Sequence, residues 1–258
     1  MTAATTAAPA LPAARESALD RRVAMRLAAD EYDRFVAHLR TLSPEDWRRP
    51  TACPDWDVHA MACHVLGMAE FSASIREQMR QLRAARQAGG LFIDALTSLQ
   101  VAKHVARPPA EIVTALATTG PKAAKARRRT PALVRRKRMP DQPVDETGGQ
   151  TEAWRLGYLV DVILTRDTWM HRSDVADATG RDMALSADHD GVLVADVAQE
   201  WASRHGQPCR LTLTGPAGGS WEWAGGEGPS YTLGAVEFCR ILSGRGSGEG
   251  LLATRVPF

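Results

Sequence analysis

The chain has 258 residues, with 32 Lys+Arg against 30 Asp+Glu, 44% apolar and 24% charged residues, the balance of an ordinary globular protein and not of a disordered one. Its length suffices for one large or two smaller domains with real cores. No apolar run approaches the roughly 18 residues that crossing a bilayer requires, and Cys53, Cys63, Cys209 and Cys239 are scattered without a CxxC pair, which sets aside membrane-spanning and disulfide-framed classes. Such thiols fit a reduced, cytoplasmic setting. The opening stretch MTAATTAAPALPAAR has no charge before Arg15; it lacks the basic and hydrophobic regions of a secretion signal and reads as a disordered tail over 1–15.

From Glu16 to Gly180 the pattern is helical. Val23, Leu27, Tyr32, Phe35 and Leu39 recur at helical spacing. Ser43-Pro44-Glu45-Asp46 predicts a helix start, with Ser as cap and acids in the first turn. Asp57 is expected to cap a long helix from Val58 to about Gln87, stopped by Gly89-Gly90. Shorter helices are expected over Asp94–Ala106 and, restarted by Pro108-Pro109, over Ala110–Leu116. A loop, MPDQPVDETGGQ, leads to the strongest helix, Thr151 to about Ala178, ended by Gly180. Four substantial helices suggest a bundle over 16–181.

Beyond Asp182 the chain turns Gly-rich and strand-like. His189-Asp190-Gly191 predicts a turn, and Leu193, Val197 and Trp201 a helix over 192–204. Arg210–Thr214 and Trp221-Glu222-Trp223 alternate with period two around GPAGG, as in a hairpin. Ala235, Val236, Cys239 and Leu242 place a further helix, and LLATRVPF a last strand. The fold class is therefore α+β: a helical bundle followed by a small α+β unit over 182–258.

Lys122 to Arg138 holds nine Lys/Arg and no acid, leaving 23 basic against 30 acidic residues elsewhere. Such a run suits a solvated connection, a nucleic-acid surface or a site for an anionic substrate. The absence of aromatics argues against single-strand binding.

The chain contains no HExxH, P-loop or GxGxxG. It does contain Asp167 and His171 four residues apart in the strongest helix, with Asp174 three further on. At 100° per residue all three lie within about 40° of one stripe. A carboxylate and an imidazole so placed can share a metal ion, with Asp174 orienting the ring of His171. They can equally form a surface i, i+4 ion pair. A third ligand must come from another helix. His64 has apolar neighbours, whereas His59 lies about 140° away on the same helix and nearer its end. His64 is the choice, although such a histidine can also be a satisfied core residue and Cys63 beside it is a conceivable ligand.

The block LSPEDWRRPTACPDWDVHAMACHVLG and the later TRDTWMHRSDV resemble the mycothiol-dependent maleylpyruvate isomerase family, within the wider DinB-like metal-binding four-helix bundles. HDGVLVADVAQEWASRHG, LTLTGPAGGSW and AVEFCRILSGR resemble its small C-terminal domain, which is similar to sterol-carrier folds. The resemblance implies a divalent metal, zinc by preference, on His64, Asp167 and His171, with Asp167 standing where the family's isomerase has Glu. It also implies mycothiol as a low-molecular-weight thiol cofactor, a small acidic or electrophilic substrate, and a functional arginine, for which Arg245 is the matching position, both catalytic and cofactor-binding. The implied chemistry is addition of a metal-activated thiolate to a cis double bond, rotation, and expulsion of the thiol, or else simple thiol transfer. A non-catalytic metal- or ligand-binding bundle is the competing reading. Membrane and nucleic-acid partners are not expected.

Overall fold

The computed structural model describes residues 13–140, 142–143 and 151–258. The expected disordered tail lies outside the described residues as far as residue 12, and most of the MPDQPVDETGGQ loop does too. Arg15, at the tail's end, is hydrogen-bonded into the body: its amide donates to the Ala153 carbonyl at 2.7 Å, and its own carbonyl accepts from Arg155.

Four helices form the bundle: α1 (Arg21–Leu39), α2 (Val58–Ala73), α5 (Pro109–Arg129) and α8 (Leu164–Thr179). In the ring, α1 and α2 each pack against both α5 and α8. Asp20 caps α1 through the amides of Arg22 and Val23, and the predicted stripe Leu27, Tyr32, Phe35 and Leu39 is buried. Asp57 caps α2 as predicted, accepting from Ala60 N at 2.8 Å. Apolar residues surround α2 because it is covered on both sides: the ring lies on one, and α3 (Ile75–Ala88) with α4 (Phe92–His104) on the other.

Several expectations fail for identifiable reasons. The long helix from Val58 breaks at Ser74, whose extended backbone (φ −141°, ψ 118°) ends α2 while its hydroxyl caps Glu77 N of α3. Ser43 starts no helix beyond a three-residue turn, Asp46–Arg48. The capping runs the other way, with the Asp46 carboxylate accepting from Ser43 N at 2.8 Å. The helix after Pro108 runs on through Gly120-Pro121 to Arg129, taking five of the nine basic residues of the run into α5. Gly120 is there because a Cβ would stand 2.7 Å from that of Tyr32. A four-residue α6 (Ala132–Arg135) follows. Thr151 opens a strand, not a helix: β1 (Gln142–Pro143) pairs antiparallel with β2 (Thr151–Glu152). The helical path then begins with α7 (Leu156–Tyr158) and winds through a π-helical turn, Leu159–Ile163, into α8.

That π turn explains part of the basic run. Arginines supply donors to one of its carbonyls and to polar side chains in and beside it. Arg127 Nε reaches Val160 O at 2.8 Å and its Nη2 reaches Thr165 Oγ1 at 2.5 Å, while Arg135 and Arg21 both pair with the buried Asp161 carboxylate. Lys122, Lys125, Arg128, Arg129, Arg136, Lys137 and Arg138 face solvent.

After Gly180 (φ 67°) stops α8, α9 (Val192–His205) packs with a three-stranded sheet in the order β4 (Gly219–Trp223), β3 (Cys209–Thr214), β5 (Ser230–Gly234). β3 and β4 form the predicted antiparallel hairpin, and Cys209, Leu211 and Leu213 alternate inward. The sequence reading missed β5, parallel to β3; α10 (Ala235–Ser243) follows it. LLATRVPF is no strand but a helical turn, Gly250–Ala253, and an irregular end. Trp201 Nε1 claims the Leu251 carbonyl at 2.9 Å, and Val256 N binds Leu242 O at the end of α10.

One apolar core joins the two parts, since Leu27 of α1 and Trp169 and Met170 of α8 pack with Val197, Trp201, Leu211 and Phe238. Buried ion pairs reinforce the seam. Arg172 spans Glu31 and Asp190, and Arg166 spans Asp196 (2.6 Å) and Glu200 (2.8 Å). Glu200 also accepts from Tyr158 and Arg204. Burial alone would raise its carboxyl, but the Arg166 and Arg204 guanidiniums outweigh it and lower the pKa from 4.5 to about 2. A carboxylate depressed on folding stabilises the protein above its unfolded pKa, so this contribution is complete above about pH 4.5 and is lost as pH falls toward 2. Glu200→Gln is expected to cost about 2–4 kcal/mol at pH 7 and markedly less at pH 3, measured by urea unfolding at both pH values.

Candidate metal centre

His64 lies two turns into α2, and Asp167 and His171 lie one turn apart on the facing stripe of α8. The packing of α2 on α8 brings the three together: one ligand atom from each lies within 4.8 Å of the others. Asp167 carboxylate oxygens stand 3.3 Å from His171 Nε2 and 3.8 Å from His64 Nε2. The two imidazoles are perpendicular, with centroids 5.1 Å apart. Both are buried, whereas the Asp167 side chain keeps 24% of its surface exposed, so the cluster opens to solvent on the carboxylate side. Trp56, just before the Asp57 cap, lies against both rings at 4.9 and 6.0 Å.

Each imidazole has its far nitrogen engaged. His171 Nδ1 is 3.2 Å from Asp174 Oδ2, and His64 Nδ1 is 2.8 Å from Gln100 Oε1 of α4. With Nδ1 so occupied, both Nε2 atoms point into the cluster, which is how metal-binding histidines are usually oriented. Burial by itself would lower the pKa of His171, but Asp167 and Asp174 outweigh it and raise the value to about 9. Against its burial, the neighbouring His171 and His64 hold the Asp167 carboxyl well below the usual carboxylate range. Two imidazoles, one carboxylate and an opening are a donor set that suits a divalent transition ion, zinc included.

The other candidates separate clearly. His59 turns away from the cluster, its Nε2 lying 2.9 Å from Arg107 O, as the 140° offset from His64 requires. Cys63 is buried with its Sγ 4.0 Å from His59 Nε2, away from the cluster, and joins none of the close ligand groups among the described residues; burial pushes its thiol up to about 12. Arg245, in the turn after α10, reaches the site from the C-terminal part: its Nε lies 2.7 Å from Asp174 Oδ1 and its Nη2 3.9 Å from Cys53 Sγ. Cys53, His171 and Asp174 form a second close group. A third, Glu31, His189 and Asp190, is cross-linked by Arg172 and belongs to the seam.

Sequence reasoning missed Gln100, Arg240 and any role for Trp56. Arg240 Nη1 also binds Asp174 Oδ1, at 3.1 Å. Its place five residues before Arg245 carries no pattern signal, and a lone glutamine carries none either. Trp56 stood in plain view beside the helix cap.

Fold and geometry thus define a helical-bundle protein with a histidine–carboxylate cluster between two of its helices and a small α+β unit closing over one side. Residues 28–176 match the family model of the mycothiol maleylpyruvate isomerase N-terminal domain, and the chain belongs to this family. An uncharacterized protein of Mycobacterium tuberculosis, found in two strains, is 27% identical over 86% of this chain and 83% of its own. The fold matches two crystal structures of the mycothiol-dependent maleylpyruvate isomerase. A variant with one histidine changed to alanine superposes with a TM-score of 0.55 at 14% identity, and a second structure with 0.52 at 17%; each match covers 89% of this chain and 91% of the other.

Asp174 is wholly buried and accepts from His171, Arg240 and Arg245. Asp174→Ala, which leaves two guanidiniums without that partner, is expected to destabilise the protein by about 3–5 kcal/mol, read as a lowered urea midpoint with unchanged m.

Proposed function

We propose that this protein is a metal-dependent, mycothiol-using enzyme of the maleylpyruvate isomerase type, acting on a small electrophilic acid by cis–trans isomerisation or thiol transfer. His64, Asp167 and His171 would hold the metal. The observation that carries this reading is that both imidazoles spend Nδ1 on partners outside the cluster, while Nε2 of each converges with a partly exposed carboxylate. Three protein ligands are one too few to close a structural tetrahedral site and leave a place for an exchangeable ligand. When bound, a divalent ion there supplies the charge that makes a coordinated thiol a thiolate at neutral pH, where a free thiol with pKa about 8.5 is mostly protonated.

The chain's own residues supply the rest. Asp167 contributes charge at the solvent-facing edge, so the ion's net charge is partly neutralised without closing the site. Trp56 covers the two imidazoles and keeps bulk water from that face. Arg245, oriented through Nε by Asp174, is the group we assign to clamping a carboxylate of the substrate or of the thiol, a task suited to a planar guanidinium. Arg240 shares Asp174 and holds the carboxylate that aims both His171 and Arg245. Isomerisation and transfer would use the same thiolate and the same clamp, and differ only in whether the thiol leaves again.

Purified protein reconstituted with zinc is expected to retain roughly one equivalent through gel filtration, and His64→Ala, Asp167→Ala and His171→Ala each to lose it, by elemental analysis. Equal zinc in all four proteins overturns the site. With mycothiol and an unsaturated dicarboxylate as substrates, Arg245→Ala is expected to raise KM for the acid about 10–100-fold with zinc content unchanged, the cost of one charge-assisted hydrogen-bond pair. Zinc retained without any thiol-dependent turnover would move the reading to a non-catalytic metal- or ligand-binding bundle.

A further inference from the structure

We infer that Gln100 and Gln81 are positioning residues, forming a one-way hydrogen-bond relay that fixes the tautomer of His64 and so keeps its Nε2 lone pair in the cluster. This rests on the reading of His64, Asp167 and His171 as a metal-binding set. The relay starts from groups that can only accept. Gln81 Nε2 donates to the Gly67 carbonyl at 3.1 Å and to the Glu77 carboxylate at 3.0 Å. That leaves Gln81 Oε1 to accept from Gln100 Nε2 at 2.9 Å, and Gln100 Oε1 to accept at 2.8 Å from His64 Nδ1, which must therefore carry the hydrogen. Both glutamines are buried, so water cannot relieve a reversed amide. Turning Gln100 over sets its oxygen against that of Gln81; turning both sets the Gln81 oxygen against a carbonyl and a carboxylate. The Met68 thioether, a weak acceptor 2.9 Å from Gln100 Nε2, favours the same orientation, but the strong acceptor is Gln81 Oε1, so the direction is imposed on His64 chiefly from two side chains away.

Backbone contact holds the relay in place. Gly67 meets Gln100 so closely that a Cβ on the glycine would lie 2.5 Å from Gln100 Cβ. Glu77, the anionic anchor, is itself held ionised by Arg80 and Lys103. The contacts join α2, α3 and α4, so the helical hairpin outside the four-helix ring acts on the cluster without supplying a ligand to it.

The test uses Gln81→Leu, which does not touch His64, with Gln81→Met as a second variant should the first fold poorly. Ring nitrogen-15 spectra of the metal-free protein, taken where the His64 ring is neutral, are expected to show a single Nδ1–H tautomer in the wild type and a mixture in the variant. Zinc affinity, measured against a competing chelator, is expected to fall about 10-fold for Gln81→Leu and up to about 100-fold for Gln100→Leu. In the double variant Gln81→Leu/Gln100→Glu, a carboxylate that can only accept replaces the amide, and the single tautomer is expected to return although the anchor is gone. An unchanged tautomer in Gln81→Leu, or no return in the double variant, overturns the relay. Failure of the wild type to bind zinc overturns the metal reading instead, and leaves the spectra of the metal-free protein to decide the relay.

Discussion

The Asp174 carboxylate is the interaction on which the site's architecture turns. It is wholly buried on α8, and His171, Arg240 and Arg245 all converge on it. A buried carboxylate is tolerable only when its charge and lone pairs are met, and here the partners that meet it come from both parts of the protein. The same atoms therefore aim an imidazole into the bundle, hold a guanidinium over it, and bind α10 to α8. Removing the C-terminal part would leave this carboxylate with His171 as its one partner of the three and expose Trp169 and Met170, so the small α+β unit supports the candidate site and is not an appendage.

The legible features were those carried by side-chain periodicity. The buried stripe of α1, the Asp57 cap, the β3–β4 hairpin and α10 all follow from local pattern; the angular offset on α2 excluded both histidines facing inward, and the apolar neighbours of His64 against the helix-end place of His59 decided between them. The Asp167–His171–Asp174 stripe was readable because four- and three-residue steps on one helix leave little geometric freedom. Only packing could decide whether that stripe faced water or α2.

What escaped the sequence reading depends on partners far along the chain. Ser74 breaks a helix whose polar continuation keeps helical spacing, so periodicity passes straight over it. Gly120-Pro121 looks like a stop but lies inside α5, where the glycine admits Tyr32. The β5 strand is too short and too flanked by Gly and Pro to register before β3 offers it an edge. The basic run looked uniform in composition, yet Arg127 and Arg135 turn inward to a π turn invisible in the sequence, while their neighbours stay in solvent.

Gly67 sets the separation of α2 and α4 by bare backbone against Gln100, and a contact made by atoms without rotamers cannot be retuned by neighbouring side chains. Nearby apolar positions such as Leu96 can exchange volume with one another; this one cannot. Variation through the helical layer should therefore be broad at the greasy positions and nearly forbidden at a single hydrogen atom, which makes the smallest residue in the neighbourhood its least replaceable.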